Sequence, residues 1–145
     1  MYKHILVPVD LNENGFCDKA VDHAVWHAKQ SNAKIHLLNV LPGIHMSMVA
    51  TYFPKEAAKK MKEDVKQQLK KFVERYIDEN IEFDVYVAEG KPYSTILNYA
   101  KRVNADLIVM PSHKRSRIDK VVLGSVASKV VENSPINVMV VKPNG

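Results

Sequence analysis

Apolar positions along this chain follow two alternating patterns, short unbroken runs and helical stripes. His4-Ile5-Leu6-Val7-Pro8-Val9 is an almost continuous apolar run, as a strand covered on both faces must be. Cys17, Ala20, Val21, Ala24, Val25 and Ala28 fall on one face of a helix. Ile35 to Leu41 predicts a second strand, closed by Pro42-Gly43. Residues 44–54 form an apolar but aperiodic connection. Met61, Val65, Leu69, Phe72 and Tyr76 then make one stripe of a long helix. Ile81 to Ala88 alternates and predicts a third strand carrying Phe83, Val85 and Val87. Gly90-Lys91-Pro92 breaks it and opens a helix buried through Ile96, Leu97, Ala100 and Val103, since proline suits a first helical turn. Leu107 to Met110 is a fourth strand, residues 111–123 a basic loop, and Gly124-Ser125 leads into a helix buried through Val126, Ala127, Val130 and Val131. Asn137 to Val141 is the last strand.

Strand and helix alternate throughout, which implies an α/β fold: a five-stranded parallel sheet with helices on both faces, Rossmann-like in plan. The 145 residues fit one domain, spanning 1–145, with a single core. No apolar run reaches the roughly 18–20 residues of a membrane span, and Met1 to Ile5 runs straight into a strand without the features of a signal peptide. A lone cysteine, Cys17, excludes an internal disulfide and fits a reduced, cytoplasmic compartment. It falls on the apolar face of its helix, where it is expected to be inert. The net charge of +5 favours anions, but nucleic-acid binding needs clustered charge as well as excess. The densest basic run, Lys55 to Arg75, holds eight Lys or Arg and four Asp or Glu on the polar side of its helix, as a solvated face does. No nucleic-acid or membrane partner is expected.

In such a sheet, ligands bind beyond the carboxyl ends of the strands, where strand order reverses. The turn after the first strand, Asp10 to Gly15, has no G-x-G-x-x-G, and no P-loop or G-x-S-x-G element occurs anywhere in the chain. An ATP pyrophosphatase would need S-G-G-x-D-S where Asp10-Leu11-Asn12-Glu13 stands, and a receiver domain would need Asp84 at a strand end rather than inside the strand. What remains is a divided anion site. Ser112-His113-Lys114-Arg115-Ser116-Arg117 follows the fourth strand, and Gly124-Ser125 stands at a helix amino terminus, where free amides and the helix dipole attract anions. Asp10, at the same end, is the kind of acceptor that holds ribose hydroxyls. Taken singly, Gly124-Ser125 also reads as a plain helix cap and Asp10 as a turn stabiliser.

Ile5 to Asp10, Gly90-Lys91-Pro92, Leu123-Gly124-Ser125-Val126 and Asn137 to Lys142 together resemble the universal stress protein family. Pro111-Ser112-His113 with Leu123-Gly124-Ser125 is most similar to its single-domain, enterobacterial F/G-type members. The resemblance implies an adenine nucleotide alpha hydrolase-like fold and a cytoplasmic, stress-responsive homodimer that binds ATP or AMP, with Mg²⁺ as an accompanying ion, and has little or no hydrolytic activity. It implies nucleotide contacts at Pro8, Val9, Asp10, Val40, Met110, Ser112, His113, Lys114, Arg115, Gly124, Ser125, Val126 and Ala127. Of the family pattern G-x2-G-x9-G-[ST], Gly124 and Ser125 match the end, while Pro111 and Lys114 replace the first two glycines. Proline removes an N–H donor, and the side chains of Lys114, Arg115 and Arg117 offer charge in its place. The alternative is a dimeric interaction protein with a vestigial pocket. Dimerisation is expected through the last strand, at Ile136, Val138, Met139, Val140 and Val141, an apolar segment expected at a sheet edge.

Other features count for less. His23 and His27 have chelating spacing but no third ligand, so a solvent or structural role is expected. Trp26 falls on the polar side of its helix.

Overall fold

The computed structural model describes residues 1–10, 18–41, 55–76, 80–112 and 124–142. Strands β1 (His4–Pro8), β2 (Lys34–Leu41), β3 (Phe83–Glu89), β4 (Leu107–Pro111) and β5 (Asn137–Val141) alternate with helices α1 (Asp18–Ser31), α2 (Lys55–Tyr76), α3 (Pro92–Arg102) and α4 (Ser125–Asn133). All pairings are parallel and the sheet order is β3-β2-β1-β4-β5. The expected doubly covered parallel sheet is therefore present, with β5 at an edge.

Successive strand residues point to opposite faces, and each face has its own core. Ile5, Val7 and Val9 of the β1 segment join Ile35, Leu37, Leu107 and Val109 beneath α1 (Ala20, Val21, Ala24, Ala28) and α2 (Leu69, Val73). Leu6, Leu38, Ile108 and Met110 meet α3 (Ile96, Ala100) and α4 (Ala127, Val130) on the other face. This is why β1, β2 and β4 read as apolar runs: both sides of the sheet are buried there.

Local chemistry sets the ends of the elements. Both α1 and α3 stop at an asparagine with positive φ, Asn32 (54°) and Asn104 (56°). In each case the next amide bonds back into the helix, Ala33 to the Ala28 carbonyl at 3.0 Å and Ala105 to that of Ala100 at 2.8 Å. This closes the helix end, since asparagine tolerates the left-handed conformation better than most residues. Gly90, at φ +143°, carries the chain from β3 into α3, and its amide bonds to the Leu41 carbonyl at 3.2 Å. Pro92 follows as the first residue of the helix.

Two details depart from the sequence pattern, and a third follows it. Val131, expected to be buried, is 44% exposed: α4 rests only one narrow face on the sheet, and Ala127 and Val130 fill it. Phe83 lies on the exposed start of β3, while Ile81, just before the strand, is buried. Trp26 is 58% exposed, as its polar-side position requires, with its ring edge-on to His27. Cys17 and the connection at 44–54 lie outside the described residues. Among the described residues, no helix is long and apolar enough to cross a membrane.

Candidate functional site

The strand order reverses between β1 and β4, so the crevice of the sheet lies between their carboxyl ends. The register shows how it opens. β1 pairs with β2 over five residues, but with β4 only at Ile5↔Leu107 and Leu6↔Ile108. Backbone groups of a strand alternate sides. The Lys3 carbonyl and the Val9 amide bond towards β2, and the His4 carbonyl accepts from Asp106 on the β4 side. Position 8 therefore faces β4, and there Pro8 has no N–H to continue the ladder. Proline at this position ends the β1–β4 pairing where the crevice begins.

The residues beyond that point line one end of the sheet. Val9 is buried, its amide held by the Leu38 carbonyl at 2.8 Å, and it delivers the half-buried Asp10 to the crevice mouth. Across from it, Met110 is buried at the end of β4 and Ser112 just past it. The Ser112 amide donates to the Val141 carbonyl at 3.0 Å, which prolongs the β4–β5 ladder. Val40, near the end of β2, is half-buried on the α3/α4 side.

Helix α4 begins at this same end, because its last residue, Asn133, is followed closely by the amino end of β5. Gly124 is its N-cap, with φ −56° and ψ 156° and no side-chain cap bond. Any residue adopts those angles, so it is the missing side chain of Gly124, not its dihedral freedom, that leaves the helix start open. The first helical bond runs from Ser128 to the Gly124 carbonyl at 2.9 Å. The amides of Ser125, Val126 and Ala127 precede it and have no carbonyl four residues back within the helix to accept them. Ser125 is exposed, Val126 half-buried and Ala127 buried. Three amides and the positive end of a helix dipole make a seat for an oxyanion. His113, Lys114 and Arg115 lie outside the described residues.

The profile of the universal stress protein family matches residues 1–142. This chain belongs to the universal stress protein family. It is 32% identical to universal stress protein G of Escherichia coli O157:H7 over 98% of this chain and the whole of that protein. It is 28% identical to universal stress protein MJ0531 of Methanocaldococcus jannaschii, over 98% of this chain and 83% of that one. Among solved structures, it is similar to the hypothetical protein MJ0577 (TM-score 0.82, 26% identity, 100% of this chain and 99% of that one). It also shares the fold of a universal stress protein solved in complex with cAMP (TM-score 0.67, 24% identity, 97% of each chain) and of one from Archaeoglobus fulgidus in complex with dAMP (TM-score 0.61, 21% identity, 96% of this chain and 97% of that one).

Other groups near the carboxyl ends were not singled out from sequence as site residues. The side chain of Glu89, the last residue of β3, is buried and pairs with Lys62 of α2 at 3.0 Å. A carboxylate closing a strand, with a lysine one helix away, carries no local sequence signature. Among the described residues, no group of three His, Cys, Asp or Glu side chains is placed to hold a metal; His23 is exposed and His27 half-buried.

Proposed function

We propose that this universal stress protein binds an adenine nucleotide, ATP or AMP, at the crevice between β1 and β4 and acts as a homodimeric stress-response regulator with little or no hydrolysis. One observation carries the reading: the uncapped start of α4 at Gly124 stands at the same end of the sheet as Asp10, across the switch point. The first-turn amides suit a phosphate, and the Asp10 carboxylate suits ribose hydroxyls. Relatives of the same fold crystallised with cAMP and dAMP support the adenine class. Asp10 is the one carboxylate of the sequence-derived site, which suits holding a nucleotide better than phosphoryl transfer, since that reaction wants metal-holding carboxylates and a positioned nucleophile. Should Mg²⁺ accompany ATP, Asp10 is the oxygen donor of that site suited to it.

A second reading, an interaction protein with a vestigial pocket, is favoured by Pro111 and Ser112. Where the family pattern has its first phosphate-loop glycine, Pro111 is a buried β4 residue paired with Val141, and the Ser112 amide is already spent on β5. Denaturing the purified protein and separating the released nucleotides by chromatography decides between the two. Adenine nucleotide at near-stoichiometric yield supports binding; none, with no heat on titration of ATP or AMP, supports the vestigial pocket.

The dimer reading rests on β5. It is an edge strand whose residues Val138, Met139 and Val140 are only partly covered by their own chain, while Val141 is buried and Ile136 precedes it half-covered. An open apolar edge favours pairing with a second copy. Val140→Pro is expected to shift the light-scattering mass towards a monomer; an unchanged dimer with intact circular dichroism would rule out this interface.

A further inference from the structure

At the amino end of the sheet, opposite the candidate nucleotide site, polar side chains cross three strands in one line. Nδ1 of His4 on β1 lies 3.0 Å from Nε2 of His36 on β2, and Nδ1 of His36 lies 3.1 Å from the hydroxyl of Tyr86 on β3. That hydroxyl donates to Asp84 at 3.4 Å, and Asp84 pairs with Lys34 at 2.8 Å. His36 is 4% exposed and its ring stacks on that of Tyr86. From α3, Tyr99 packs edge-on against Tyr86, and the Arg102 guanidinium sits over the Tyr99 ring. Asp106 holds the backbone amides of Lys3 and His4.

The proton positions follow from counting. A phenol has one proton, and Tyr86 gives it to an ionised carboxylate that can only accept. The Tyr86 oxygen must then accept from His36, so His36 carries its proton on Nδ1 and leaves Nε2 as an acceptor. His4 must donate to it through Nδ1–H. An added proton on the other nitrogen of His4 leaves this order intact. A proton on Nε2 of His36 does not once His4 carries protons on both ring nitrogens: two N–H groups then face each other at the 3.0 Å separation.

We propose that these side chains form an acid-operated clasp, in which protonation of His36 at Nε2, with His4 already doubly protonated, breaks their contact and releases the side-chain link across β1, β2 and β3. The surroundings set its range. Burial, the facing His4 and the Lys34 charge all disfavour imidazolium, outweighing the attraction of Asp84, and push His36 down from 6.5 to about 4. The clasp is closed at neutral pH and opens only in distinct acidity.

Long-range ¹H–¹⁵N spectra of the histidine rings in the full chain, taken from pH 8 to pH 4, test this directly. His36 is expected in the Nδ1–H form and uncharged to below pH 5.5, with the amides of Leu6 and Tyr86 moving as it titrates. In His4→Phe, which removes the facing donor but keeps a ring, the His36 titration is expected to move up by about one pH unit or more. An Nε2–H tautomer in the native chain, a titration near 6.5, or a His36 midpoint unmoved in His4→Phe would each overturn the proposal. The native-chain spectra decide it even if the variant does not fold.

Discussion

The two ends of this sheet are built on opposite plans. At the carboxyl end, backbone hydrogen bonding is left unfinished: Pro8 stops the β1–β4 ladder, and Gly124 leaves the first turn of α4 without a side-chain cap. At the amino end, polar groups are joined, with Asp106 taking the amides of Lys3 and His4 and a continuous chain running from His4 to Lys34. Unfinished backbone groups form a site that a ligand can complete. Finished side-chain groups tie strands together, and a proton is what undoes them.

The largest expected effect separates the ends most sharply. Gly124→Asp puts a carboxylate at the proposed phosphate seat, yet aspartate is a preferred N-cap and the native angles suit it. Affinity for AMP should fall about a hundredfold or more, some 2.7 kcal/mol, with no loss of thermal stability. Calorimetric titration beside a melting curve reads both.

Acid should act on the other end. Because the folded-state value of His36 is depressed, the folded chain binds fewer protons than the unfolded one between pH 6.5 and about 4. The stability that neutral His36 allows is complete above pH 6.5 and drains away as pH falls towards 4, by about 2–3 kcal/mol. Urea midpoints at pH 7 and pH 4.5 should therefore separate more widely for the native chain than for His36→Asn.

Gly90→Ala comes next. A Cβ there would stand 2.8 Å from Thr95 Oγ1, at a φ that side chains rarely adopt. The expected cost is about 1–3 kcal/mol in urea unfolding, because the turn from β3 into α3 must be rebuilt. The smallest effect is at Val131, where alanine should change stability by less than about 0.5 kcal/mol. The same change at the neighbouring Val130, fully buried, should cost about 1–3 kcal/mol.

The sheet and its order of elements were legible because both faces are buried, so β1, β2 and β4 announce themselves as apolar runs. Val131 was misread because an apolar residue beside a buried one extends a helical stripe whether or not the sheet reaches it. The Asp10 and Gly124 parts of the candidate site were visible as residue types at strand and helix ends. Two pieces of its environment were not. The role of Pro8 depends on which side of β1 its missing amide would face, a matter of register. The amino-end clasp was hidden for the same reason: His4, Lys34, His36, Asp84 and Tyr86 are far apart in sequence and unremarkable one at a time. Polar residues two apart in β2 and again in β3 were the one available signal, and reading it needs the pairing His36↔Asp84 and Leu38↔Tyr86.

The most direct test of the carboxyl-end site is an amide chemical-shift titration of the isotopically labelled full chain with AMP. Saturable shifts at Asp10, Val40, Met110 and Gly124 to Ala127, with the His4–His36 region unmoved, are the result predicted. Shifts centred elsewhere, or none at millimolar nucleotide, would contradict it.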